Sequence, residues 1–422
     1  MSLPSFIRPF VGYEIRTVEM HTSGEPARIV YAGYPDIPFV KPLPLIWTAD
    51  TDNRRSGTLL EQRSLAQSQH DHVRRSIVYE PRGHRDMYAA VLRPRTELVD
   101  AGDAHMGALF LTHEGYGTMC GHATIALGRF LVDCADESIF PRRKDLRFDK
   151  QTGEVEVLLH APVGLVKIRV PAVKVDDGFR SDASRAITFL SVPTYAGPVY
   201  LNVPLREELR WPELNGAKSV NLSVCFGGAF YGIVQATALG FPASLAKPDI
   251  AALGVAADRL KRAINSSHSA LGRLASMYGE EAPRYVYGIM ITDANSQDDV
   301  PVAPGCLGAE TGVYYFGDGQ IDRSPTGSVV QARVALAVAK EEMIVGESKT
   351  YHSLVSRAQG GYKGAFVGKA VEEFTSDDWI KGARVEVSGR AYYTGASTFV
   401  SEEGDEVGRG FSFDALVGRG SQ

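Results

Sequence analysis

Two distant segments of the chain share one pattern, and that pattern limits the fold more than any other feature. The first is Gly117-Thr118-Met119-Cys120-Gly121-His122-Ala123-Thr124-Ile125-Ala126-Leu127. The second is Asp322-Arg323-Ser324-Pro325-Thr326-Gly327-Ser328, continued by Val329 to Leu336. Each sets a nucleophile-type side chain before Gly, then a polar residue, then a run long enough for a helix. The first N–H groups of a helix have no partner inside it, and a glycine there lets a ligand approach the backbone. Two such starts facing each other predict a grip on a carboxylate. A cysteine at a helix start has its thiolate favoured, which makes Cys120 a usable base or nucleophile. Lone cysteines are more often inert core residues. The flanking Gly-His and the matching second segment set Cys120 apart from Cys134, Cys225 and Cys306.

Around these segments the chain reads as many short strands. Tyr13, Ile15, Thr17 and Val18 lead through His21-Thr22-Ser23-Gly24-Glu25-Pro26 to Arg28-Ile29-Val30-Tyr31, a strand, loop and strand. Leu59 to Ile77 predicts a polar helix, and Met87 to Leu92 and Ala108 to Thr112 predict strands. Glu154 to Leu159 and Gly164 to Val170 predict a hairpin. Val220 to Cys225 predicts a buried strand ending at the turn Gly227-Gly228. Pro248 to Ile264 and Ser328 to Met343 predict helices, and Ala383 to Phe399 returns to strands. Residues 41–57 and 293–308 read as inserted loops. One helix per half among short strands predicts a mixed α+β fold rather than a doubly wound sheet. The expected division is 1–190 with the cysteine, 191–395 with Asp-Arg-Ser-Pro-Thr, and 396–422 returning to the first part.

At 422 residues the chain is long enough for two to three domains. Lys+Arg 45 against Asp+Glu 50 leaves a net charge of −5, so nucleic acid is not the expected partner. Four scattered cysteines without a Cys-x-x-Cys pair predict neither a disulfide framework nor a structural zinc site. The N-terminus lacks the pattern of a secretory signal and the C-terminus lacks an anchor motif. The uncharged stretch Ser219 to Ala246 is interrupted by Asn221, Ser223, Gln235 and Thr237, which argues against a membrane span. A cytoplasmic protein is expected, with a small-molecule substrate and neither nucleic acid nor membrane as partner.

Met119-Cys120-Gly121-His122, Gly227-Gly228-Ala229-Phe230-Tyr231 and Asp322-Arg323-Ser324-Pro325 resemble the motifs of the proline racemase family. So do His21-Thr22-Ser23-Gly24-Glu25-Pro26, Glu80-Pro81-Arg82-Gly83-His84 and Tyr392-Tyr393-Thr394-Gly395. The resemblance runs from about residue 13 to 411. It implies two pseudo-symmetric lobes, each a β-barrel-like sheet around a central helix, similar to diaminopimelate epimerase. It also implies a site between the lobes, no cofactor, no metal and a homodimer. Carried over by residue, Cys120 is the base. The backbone N–H groups of Gly121, His122, Gly327 and Ser328 hold the substrate carboxylate. Asp322 and the His122 side chain contact the ring nitrogen.

Racemases and epimerases of this family carry a second cysteine where this chain has Thr326. That difference resembles the family's dehydratase branch, which removes water from trans-3-hydroxy-L-proline. An unactivated hydroxyl is a far weaker acid and base near neutrality than a thiol. Racemisation therefore lacks its second group, whereas dehydration needs the thiol on one face only. The expected reaction is loss of water to give Δ1-pyrroline-2-carboxylate. A proline racemase or 4-hydroxyproline epimerase-type isomerase, a cysteine-nucleophile hydrolase and a non-catalytic binding protein of the same fold are the competing readings. Val329 and Gln331 stand where the family has small residues, and Ala396-Ser397 where it has His before Thr-Phe. The first of these departures predicts crowding near the carboxylate clamp.

Overall fold

A computed structural model of the protein describes residues 3–37, 58–176, 178–197, 200–267, 285–293, 300–375 and 381–416. The chain divides into two compact units. One comprises Met1–His21, Pro26–Ile187 and Ala391–Gln422, and the other comprises Thr22–Glu25 and Thr188–Arg390.

In the second unit the strand pairings close on themselves. Thr194–Ala196 pairs with Ser219–Phe226, and that strand with Phe230–Gln235. The run continues through Val286–Thr292 and Ala309–Phe316. It passes to Ser348–His352, Phe366–Thr375 and Lys381–Gly389, and Lys381–Gly389 returns to Thr194–Ala196. The helix Gly327–Ala339 packs against Thr194–Ala196, Ser219–Phe226, Phe230–Gln235, Phe366–Thr375 and Lys381–Gly389, so it fills this closed barrel. Its buried residues Val329, Val330, Gln331, Ala332, Val334, Ala335 and Leu336 leave no face for water. A helix apolar nearly all round must be enclosed in this way. Each fully buried Val or Leu stabilises the fold by about 1.5–3 kcal/mol. The helix's buried cation, Arg333, pairs with Glu310 at 2.6 Å and lies over the Tyr351 ring at 4.6 Å. Lys349 reaches the other Glu310 oxygen at 3.0 Å.

In the first unit, Glu25–Ala32 pairs parallel with Ala89–Arg93, and that strand antiparallel with Met106–Leu111. Met106–Leu111 pairs parallel with Glu154–Ala161, which forms the expected hairpin with Gly164–Val175. Val11–Thr22 pairs with both Glu25–Ala32 and Ala391–Glu402. The helix Gly121–Asp133 packs on Glu154–Ala161, Gly164–Val175 and Ala391–Glu402. Gly128 permits that approach, because a Cβ there would stand 2.7 Å from Ile168 Cγ2.

Three expectations are corrected. The polar segment 59–77 forms two helices, Leu59–Gln69 and Asp71–Val78, not one. Thr58 and Glu61 cap the first reciprocally. Arg74 pairs with Asp71 at 2.6 Å and donates to the Thr112 and His113 carbonyls, so tertiary contacts start a second helix at His70. The helix expected to reach Met343 ends at Ala339, because Glu341 turns to φ 60°. The expectation of one helix per half is also corrected: the second unit holds Gly327–Ala339 and Ile250–Asn265, the latter capped by Asp249 and matching the helix predicted over Pro248 to Ile264. Residues 41–57 lie outside the described residues, as do 294–299; Asp293 and 300–308 form neither helix nor strand.

Candidate active site

The strand Tyr116–Gly117 pairs with Met106–Leu111 and delivers the chain to Cys120. Cys120 is extended, with φ −146° and ψ 116°, and forms the N-cap of Gly121–Asp133. Its Sγ accepts from the Ala123 N–H at 3.4 Å. The same sulfur lies 3.2 Å from His122 Nδ1 and 3.6 Å from Nε2. His122 Nε2 lies 3.2 Å from the Pro26 carbonyl oxygen. A carbonyl can only accept, so Nε2 carries the hydrogen and Nδ1 turns its lone pair toward the thiol. Tyr88 packs edge-on against the His122 ring at 4.8 Å. The resemblance implies that the His122 side chain meets the ring nitrogen of a substrate. In the structure its two nitrogens face Cys120 and Pro26.

The second helix start is built differently. The strand Gln320–Ile321 pairs with Ala309–Phe316 and leads into Asp322. Asp322 Oδ1 accepts from the Ser324 N–H at 2.7 Å, and Oδ2 accepts from the Thr326 hydroxyl at 2.7 Å. The Thr326 N–H donates to Ser324 Oγ at 3.1 Å. Thr326 adopts φ 64° and ψ 93°, and its side chain does not cap the helix that it begins. Asp322 is 8% exposed, and among the described residues it makes no salt bridge. Among the described residues no acceptor meets the N–H groups of Gly121, Gly327 and Ser328. These are the orphan donors of two helix starts, left without internal partners.

Close packing holds the second start in place. A Cβ on Gly227 would stand 2.3 Å from the Ser328 carbonyl oxygen, so only glycine lets that turn approach. The Tyr231 hydroxyl donates to Ser328 Oγ at 2.9 Å. Val329 is fully buried in a cluster with Ala196, Cys225, Tyr231 and Tyr314. The side chain expected to crowd the clamp is therefore part of the barrel core.

Some residues that matter here are not evident in the sequence. Glu25 Oε2 accepts from the Arg323 N–H at 2.6 Å, so the His21-to-Pro26 motif serves the Asp322 segment through Glu25. His21 instead stacks on Tyr392 at 5.5 Å, and burial lowers its pKa. Arg82 donates to the Gly408 and Val400 carbonyls, and the Tyr393 hydroxyl donates to Asp133 at 2.9 Å. The Glu80-to-His84 and Tyr392-to-Gly395 motifs thus fasten the C-terminal segment to the first unit. Burial raises the Cys134 thiol and pushes Cys225 up to about 12. Among the described residues no cluster of three or more His, Cys, Asp or Glu side chains could hold a metal ion.

A proline racemase family model matches residues 17–412. The chain belongs to the proline racemase family. Among relatives, it is 36% identical over 402 residues to the trans-L-3-hydroxyproline dehydratase of Bos taurus, covering 94% of each chain. It is equally identical, with the same coverage, to the trans-3-hydroxy-L-proline dehydratase of Homo sapiens. Among solved structures, a probable proline racemase from Agrobacterium radiobacter with bound carbonate superposes with a TM-score of 0.68. Identity there is 21%, over 96% of this chain and 98% of that one. A hydroxyproline epimerase from Agrobacterium vitis with bound trans-4-hydroxy-L-proline gives 0.65 at 18% identity, over 96% and 97%. These two structures carry the fold of the proline racemase family. Within it, this chain has a buried thiol and imidazole at one helix start and a threonine and carboxylate at another. No helix among the described residues is long and apolar enough to cross a membrane.

Proposed function

We propose that this protein converts trans-3-hydroxy-L-proline to Δ1-pyrroline-2-carboxylate and water, without a cofactor. The observation that carries the reading is Thr326, a hydroxyl at the second helix start of a chain with a single helix-start thiol, Cys120. The full-length similarity to named dehydratases supports the same choice.

In this reading His122 Nδ1 takes the thiol proton, and the Cys120 thiolate removes the Cα hydrogen. In the trans isomer the 3-hydroxyl and the carboxylate lie on opposite ring faces. The Cα hydrogen is also opposite the carboxylate, so hydrogen and hydroxyl share a face. The Cα–H bond breaks, its electron pair forms the Cα–C3 double bond, and the C3–O bond breaks. The hydroxyl leaves as water with the proton that Cys120 took from Cα. The enamine then tautomerises to the cyclic imine. The backbone N–H groups of Gly121, His122, Gly327 and Ser328 bind the carboxylate, where charge grows as Cα loses its proton. Asp322 pairs with the ring ammonium. The reading also takes the two units as pseudo-symmetric lobes of one chain, and two copies of the chain as a cytoplasmic homodimer.

Incubation with trans-3-hydroxy-L-proline, trans-4-hydroxy-L-proline and L-proline tests this. Cyclic imine formed from the first alone is the expected result. Epimerisation of either of the others would mark an isomerase, and thermal stabilisation without turnover would mark a binding protein.

A further inference from the structure

Thr326 combines three properties that a spectator hydroxyl does not need. It is a β-branched residue at positive φ, a conformation that such side chains rarely adopt. It is 7% exposed. Its hydroxyl proton is committed to Asp322 Oδ2 at 2.7 Å. Backbone strain of this kind persists only where the surroundings enforce it, and it concentrates at functional sites.

Asp322 supplies the reason for the arrangement. A carboxylate has about four lone-pair positions. Ser324 N–H and Thr326 Oγ–H fill one on each oxygen. Both donors are neutral, and among the described residues no cation pairs with this buried group. A buried anion without a counter-ion is costly, and a cationic ligand relieves that cost. The two hydrogen bonds fix the carboxylate plane, so the remaining lone pairs point in set directions.

We propose that Thr326 is a positioning residue: its hydroxyl holds the Asp322 carboxylate ready for the secondary ammonium of a ring imino acid. The inference rests on the proposed function for its ligand class. It gives position 326 a role in recognising the charged nitrogen, separate from the absence of a second thiol. A thiol there is a weaker donor and holds the carboxylate less firmly.

The test compares two ring carboxylates by calorimetry on wild type, Thr326→Val, Thr326→Ala and Thr326→Ser. L-Proline carries a charged ammonium, and pyrrole-2-carboxylate has a neutral ring nitrogen. Losing a hydrogen bond to a charged group predicts a fall in L-proline affinity of about tenfold or more in Val and Ala. Pyrrole-2-carboxylate should change less than about threefold, and Ser should restore most of the L-proline affinity. On trans-3-hydroxy-L-proline, Val and Ala should lose kcat/KM, with Ser partly rescued. Equal loss of both ligands, or no loss of either, overturns the proposal, as does a Ser variant as poor as Val. Ala releases the β-branched strain, so it keeps the test intact if Val does not fold. A wild type that makes no imine yet shows the ligand discrimination would overturn the proposed reaction and leave this inference standing.

Discussion

The sulfur of Cys120 stands 3.2 Å from Nδ1 of His122, and the far nitrogen of that ring is claimed by the Pro26 carbonyl. The two residues are neighbours but one in sequence, and both are buried. In the proposed reaction the imidazole accepts the thiol proton, and the helix start favours the thiolate that results.

Cys120→Ser should therefore remove turnover by about a thousandfold or more while leaving the melting temperature nearly unchanged. Iodoacetamide should inactivate the wild type, with pyrrole-2-carboxylate protecting it. Peptide mass mapping should find the label on Cys120. Cys225, buried and held at about 12, should stay unlabelled. Inactivation that follows label on Cys134 or Cys306 would contradict the assignment.

His122→Gln keeps an amide to donate toward Pro26 and removes the basic nitrogen. The expected result is a kcat lower by about 10²–10⁴-fold and slower alkylation of Cys120. A variant alkylated at the wild-type rate would show that the thiolate forms without the imidazole.

Gly227→Ala forces a Cβ to within 2.3 Å of the Ser328 carbonyl oxygen unless backbone moves. Overpacking of this kind costs about 1–3 kcal/mol. Because the displaced atom belongs to the first turn of Gly327–Ala339, kcat/KM should fall along with the melting temperature. Thermal melts and initial rates on the same preparation check both.

Thr326→Cys places a second thiol at the second helix start. On the proposed reaction it supplies the missing group for the other face of Cα. In D2O the variant should exchange the Cα hydrogen of L-proline for deuterium, read by mass spectrometry, and its dehydration rate should fall. A wild type that already epimerises 4-hydroxyproline efficiently would show that residue 326 does not decide between the two reactions.

Glu310 gives a pH signature of the barrel core. Burial pushes its carboxyl up, but Arg333 and Lys349 together push harder, and it lies at about 2. A folded pKa below the ordinary 4.5 adds stability that is fully present above about 4.5. That stability is lost as pH falls toward about 2. Denaturant melts of the wild type should weaken across that window. Glu310→Gln should be less stable at pH 6, because Arg333 loses its partner, and should weaken less between pH 4.5 and 2.

The sequence by itself determined the two helix starts, the α+β character and the family. Cys120-Gly121-His122 and Thr326-Gly327-Ser328 are local patterns, and a helix start follows from a few consecutive residues. Gly227-Gly228 was legible as a turn. Its purpose was not, since the clash that excludes a Cβ exists only once Ser328 packs against it. The break at His70, the link from Glu25 to Arg323 and the partner of the His122 ring were also decided by tertiary contact. Asp322 shows the division most clearly. Its residue type and its place before Ser324-Pro325 were in the sequence. Its two neutral donors, Ser324 and Thr326, lie two and four residues on, whereas its burial and its lack of a cationic partner among the described residues belong to the folded chain. Hydrogen bonds and burial are properties of groups brought together, and a linear pattern records only those whose partners lie within a few residues.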